Sequence, residues 1–157
     1  MEDHTVMHHT FVISRTYPKP PEKVFAAFSD PAKKRRWYAQ GERHDVVTFE
    51  TDFSVGGTER TSYRMNASTP FPGTILASHS THLDIVPNQR IVIAQAMSLG
   101  GRNISAALCT FELVATATGT ELIFTYQAAF FEGADGPQMR EGGWKALLDR
   151  LGAEVAA

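Results

Sequence analysis

A chain of 157 residues, 43% hydrophobic and 20% charged, can bury a sizeable core without disulfides or metals and is too apolar to stay disordered. Fifteen basic against seventeen acidic residues leave a formal net charge of -2, so no global field draws it to nucleic acid or anionic lipid. The lone Cys109 excludes an intramolecular disulfide, the opening MEDHTVMHHTF lacks the basic end and apolar run of a signal peptide, and no stretch approaches the ~18 apolar residues of a membrane span. A soluble, cytoplasmic protein is the expectation.

Residues 9–16, HTFVISRT, are β-branched and predict a first strand, stopped by Pro18, Pro20 and Pro21. PEKVFAAFS then places Val24, Phe25 and Phe28 on one helical face. Asp30-Pro31 repeats the start signal, an N-cap before a first-turn proline, and predicts a second short helix to about Trp37 or Tyr38. From His44 to Phe131 six β-rich runs follow, separated by SVGG, STPFPG, PNQR, SLGG and TATG. Consecutive strands without intervening helices predict an antiparallel meander, because parallel neighbours need long crossovers.

After EGADGP a final helix is expected from near Pro137, with Met139, Trp144, Leu147, Leu148, Leu151 and Val155 at helical spacing. Gly142 and Gly143 sit near its start, and each costs a helix interior roughly 0.5–1 kcal/mol relative to alanine. Close approach to the sheet, or room for a ligand, would account for them. No repeat or linker divides the chain, so residues 1–157 read as one α+β domain with a long helix covering one sheet face.

Strand alternation predicts which side chains face that helix. In the last strand Leu122, Phe124 and Tyr126 form the apolar set; in its predecessor Cys109, Phe111 and Leu113 do. A turn at Thr118-Gly119 would pair Leu113 with Phe124 and Phe111 with Tyr126. The long strand from Thr74 shows Ile75, Ala77, His79, Thr81, Leu83 and Ile85 on one face, so His79 is expected inward and Ser80, His82 and Asp84 outward. With Tyr63 and Met65 also inward, His79 would stand opposite Glu59 or Thr61. The RIVIAQAM strand is apolar on both faces, so alternation does not orient it.

Taken in order, PPEKVFAAFSDPAKKRRWY (20–38), DFSVGG (52–57), IVPNQRIV (85–92), CTFEL through GTELIFTY (109–126) and GWKALLDRL (143–151) resemble the activator-of-heat-shock-protein-ATPase-like group of the START/polyketide-cyclase superfamily. The resemblance implies a helix-grip fold: a curved antiparallel sheet of six to seven strands around a long C-terminal helix, with two short helices after the first strand and a cavity between sheet and helix. It implies no single activity, because this superfamily includes carriers, cyclases, receptors and chaperone activators, and fold does not fix function.

The candidate site is therefore a mostly apolar pocket with a few orienting polar groups, the usual make-up of small-molecule sites. Its candidate lining is Trp37, Phe49, Glu59, Tyr63, His79, Phe124, Tyr126, Phe130, Met139, Gly143, Trp144 and Leu147, and its expected partner is a small apolar or amphipathic molecule. His79 with Glu59 could act as a general acid/base pair, which keeps a cyclase, dehydratase or hydrolase as an alternative beside a chaperone-regulator module. His79 and His82 are on opposite strand faces and predict no metal site. Cys109 reads as a small core residue, and KKRR (33–36) as a solvated face rather than a nucleic-acid contact. SVGG and SLGG lack a dinucleotide fingerprint, so no cofactor is expected. Edge strands of an open sheet invite pairing, which makes a homodimer compatible with the fold.

Overall fold

In the computed structural model, which describes residues 6–157, the first half of the chain runs β1 (Met7–Tyr17), α1 (Pro21–Ser29), α2 (Pro31–Lys34), a π-helical turn (Arg35–Ala39), β2 (His44–Thr51) and β3 (Thr58–Met65). It continues with β4 (Ile75–Val86), β5 (Arg90–Leu99), β6 (Arg102–Thr116), β7 (Gly119–Phe130) and α3 (Pro137–Ala156). The strands form one seven-stranded sheet in the order β1-β7-β6-β5-β4-β3-β2, every pair antiparallel. The meander from β2 to β7 is thus as the turn signals predict, and β1 joins β7 at the far edge.

Local chemistry sets the helical punctuation. Asp30 caps α2, its carboxylate accepting from the N–H groups of Ala32 at 2.9 Å and Lys33 at 3.4 Å. The helix then widens: the N–H of Gln40 donates to Arg35 O, five residues back, at 3.0 Å. A widened turn of this kind changes the angular step, so the consecutive residues Trp37, Tyr38 and Ala39 are all buried. A regular α-helix would have turned one of them to solvent.

The inner face of β1, β7 and β6 carries the aromatic core. Phe124 stacks on Phe111 with ring centroids 4.6 Å apart, and Phe11 stacks on Tyr126 at 4.9 Å. Buried residues of α3 recur at Arg140, Trp144, Leu148, Leu151 and Val155, one stripe along the helix. Trp144 stands 4.4 Å from the Phe124 ring and 5.9 Å from Phe111, the point where helix and sheet interlock. Further along, the Tyr17 hydroxyl donates to Leu148 O at 2.7 Å, Arg15 pairs with Asp149 and Arg36 with Glu154.

Three expectations are corrected, two of them about register and facing. The β6–β7 turn is Ala117-Thr118, so Phe111 faces Phe124 and Leu113 faces Leu122. This moves the pairing by two residues and leaves the inward set unchanged, since two residues restore the pleat. In β4, by contrast, the face is reversed. Ser78, Ser80 and His82 point inward and are buried, while His79 is exposed on the outer face opposite Arg60. A bulge between His82 and Asp84 switches the alternation, so Ile85 pairs with the buried Ile91 although Ile75 and Ala77 lie on the other face. A single alternation drawn through the whole strand was bound to misplace one end.

The third correction concerns glycine. A Cβ added at Gly142 or Gly143 would meet nothing within 4 Å, so neither is required for close backbone approach. The intimate contact lies at Gly152, where an added Cβ would stand 3.0 Å from the Tyr17 ring.

Because Trp144 is the largest α3 side chain in the aromatic layer, Trp144→Ala is expected to lower stability by about 3–5 kcal/mol, read as the shift of the urea midpoint at unchanged slope.

Candidate functional site

On the inner face of β3, β4 and β5 the pleat presents polar side chains where β6 and β7 present aromatic ones. Glu59, Ser80 and Gln95 lie side by side across three strands, with Thr61, Ser78 and Met97 in the next row. Glu59 and Lys34 are both buried, and the Lys34 ammonium donates to the two carboxylate oxygens at 3.3 and 3.4 Å. Thr51 Oγ1 donates to the same carboxylate at 2.9 Å, and the Tyr38 ring lies 4.5 Å from Lys34 Nζ. Lys34 therefore does not belong to a solvated charge run; two carboxylate oxygens and an aromatic face replace its water. Three buried polar atoms nearby, Thr61 Oγ1, Ser80 Oγ and Gln95 Oε1, have no partner within the protein.

Beside this polar row, between the sheet and α3, lies a cavity of about 290 Å³. Leu76 and Met97 form its sheet wall; Met139, Gly143, Trp144 and Leu147 form its helix wall. Tyr38 from the π turn and His44 and Tyr63 from β2 and β3 close one side. His44 Nε2 donates to Ala39 O at 2.7 Å, and its ring lies 4.2 Å from that of Tyr63. Burial is the main reason that the phenols of Tyr38 and Tyr63 are held above their ordinary pKa, so both are neutral hydroxyls.

Two arginines of α3 reach the cavity and differ in their partners. Arg140 donates to both oxygens of Asp135 at 2.6 and 2.8 Å, to Tyr126 Oη at 2.6 Å and to Ser105 Oγ at 2.9 Å. Burial is the largest single influence and works against its charge, but the hydrogen bonds and charges of Asp135 and Tyr126 together outweigh it, and its pKa is raised. The same surroundings leave the Tyr126 phenol pushed up to about 12, burial first and Arg140 opposing. Arg150 donates to Arg36 O at 2.8 Å, and no carboxylate pairs with it among the described residues.

Of the residues singled out from sequence, Tyr63, Met139, Gly143, Trp144 and Leu147 line this cavity. Trp37, Phe124, Tyr126 and Phe130 are buried behind it in the core, Phe49 packs against that core, and Glu59 is committed to Lys34. His79 is on the opposite face of the sheet, so the acid/base pair with Glu59 is not formed. Tyr38, His44, Gln95, Arg140 and Arg150 went unrecognised as lining. Tyr38 was the readable one, adjacent to Trp37 at a helix end; Gln95 was hidden by a strand apolar on both faces. Among the described residues no group of three or more His, Cys, Asp or Glu could hold a metal ion, and no helix is long and apolar enough to cross a membrane.

A curved antiparallel sheet closed by a C-terminal helix, with a cavity between them, defines a START-like helix-grip domain. Within that class, the profile of the family described as Activator of Hsp90 ATPase homolog 1-like protein matches residues 18–156, and the chain belongs to that family. It is similar to an uncharacterised protein of Rhizobium leguminosarum, at 35% identity, 96% of each chain covered and a TM-score of 0.89. Protein Mll3558 of Rhizobium loti is 42% identical over 96% of this chain and 99% of that one, with a TM-score of 0.85. An AHSA1-like protein of Aeromonas hydrophila shares the fold, at 17% identity over 94% and 92% of the chains and a TM-score of 0.68. No curated protein matches the chain.

Two outcomes follow from the buried groups. Glu59→Gln leaves the Lys34 cation without its counter-charge and should cost about 3 kcal/mol in urea unfolding, whereas adding Lys34→Met to it should recover most of that loss. Cys109 is fully buried, and burial first of all pushes its thiol up, so iodoacetamide should label it only after denaturation.

Proposed function

We propose that this protein binds a small, largely apolar or amphipathic molecule between the sheet and α3. The observation that carries the reading is the cavity of about 290 Å³ with Leu76, Met97, Met139, Trp144 and Leu147 on its walls and a few polar groups among them. Apolar walls with sparse, fixed polar groups are the make-up of small-molecule sites, and this volume suits a ligand of one or two rings. Gly143 supports the reading further. A helix-interior glycine beside open space contributes room at some expense of helix stability, and that room faces the cavity.

The test is native mass spectrometry after incubation with a metabolite extract, comparing wild type with Gly143→Leu. The leucine replaces a poor helix former with a good one and should raise stability by about 0.5–1 kcal/mol while filling the cavity. A discrete bound mass on wild type that is absent from the more stable variant supports the reading. Equal retention by both proteins, or none by either, overturns it.

A further inference from the structure

We propose that the molecule held in this cavity is a small organic acid that also carries a hydroxyl or N–H group, its anion on Arg150 and its donor on Gln95. This rests on the reading of the cavity as a ligand site and adds the chemistry of the ligand's two ends.

The donor end is assigned by Gln95. Its side chain lines the cavity and is only 4% exposed. Nε2 donates to the Tyr38 hydroxyl at 2.9 Å, which fixes the amide and leaves Oε1 with no partner in the protein. Ser80, directly opposite on β4, leaves its own Oγ unpartnered and supplies no bond to it. A buried amide oxygen is costly to leave unsatisfied, so a hydroxyl or N–H brought by the ligand gains more here than at a surface. A site built to receive such a donor also rejects the analogue that lacks it.

The acid end is assigned by Arg150. Two arginines line the cavity, ten residues apart on α3, so their Cα atoms are about 15 Å apart along its axis. Arg140 is neutralised by Asp135 in a two-pronged pair and further held by Tyr126 and Ser105. Arg150 spends one N–H on Arg36 O and keeps its charge without a carboxylate partner among the described residues, although the neighbouring arginines Arg15 and Arg36 each have one. A half-buried guanidinium with free donors at the edge of an apolar wall matches a carboxylate in both charge and fork geometry. Between the two ends, Trp144, Leu147, Leu76 and Met97 suit the apolar body of the molecule.

The experiment is isothermal titration calorimetry with para-hydroxyphenylpropanoate, its O-methyl ether, its neutral amide and propylbenzene, on wild type, Gln95→Leu and Arg150→Gln. The hydroxy acid should bind wild type about tenfold tighter than the ether and about tenfold tighter than the amide. Gln95→Leu should abolish the advantage over the ether alone, and Arg150→Gln the advantage over the amide alone. Thermal unfolding checks both variants; if Gln95→Leu does not fold, Gln95→Met takes its place. Affinities for acid, ether and amide within about twofold of one another on wild type overturn the assignment of the two ends. If propylbenzene binds in that case, the apolar ligand site survives without it; if no probe binds, both readings fall.

Discussion

The insertion of Trp144 into the aromatic layer of β6 and β7 is the contact on which the rest of the architecture depends. An open, curved sheet with one apolar face is unstable until something covers that face, and α3 is the only long helix available among the described residues. Phe111, Phe124, Tyr126 and Tyr38 surround the indole with ring centroids 4.4 to 6.1 Å away, so the helix is anchored at one side of the sheet. The anchoring divides the inner face in two. Over β1, β7 and β6 the space is filled by rings; over β5, β4 and β3 the helix stands off, and the cavity is what remains between them.

The stand-off explains why polar residues are tolerated inside. Ser78, Ser80, Thr61, Glu59 and Gln95 would be out of place under a tightly packed helix, but here Glu59 meets Lys34 and Gln95 meets Tyr38, both from the α2–π-turn segment. The π turn is central to that arrangement, because it aims Trp37 at the core and Tyr38 at the cavity from adjacent positions. A buried Lys–Glu pair contributes little net stability, since desolvation offsets most of the attraction. Sliding α2 along the sheet would leave both charges buried and unpaired, at a cost of several kcal/mol.

The glycines of α3 divide between the same two regions. Gly152 meets Tyr17 at the closely packed end, where a side chain would have to displace a ring. Gly143 stands beside open space at the cavity, where a side chain would occupy part of that space. Identical residues in one helix thus have opposite physical reasons, and membership of the family supplies neither, because a shared fold leaves the chemistry of its cavity to individual side chains.

What the sequence by itself determined is the order of elements and most of the inward faces. Prolines at 18, 20, 21 and 31, the Asp30 cap, the turn clusters and the stripe ending in Leu148, Leu151 and Val155 are local signals, each acting within a turn or a pleat. The apolar wall that α3 gives the cavity was legible for that reason, though its two arginines were not. The polar half was decided only by the tertiary structure. The bulge after His82 reversed the facing of His79, the widened turn brought Tyr38 inward, and the partner of Lys34 lies 25 residues away on β3. The bulge and the widened turn interrupt the period from which facing is read, and no residue in the sequence marks either interruption. The pairing of Lys34 with Glu59 joins two separate elements, a contact that no window along the chain contains.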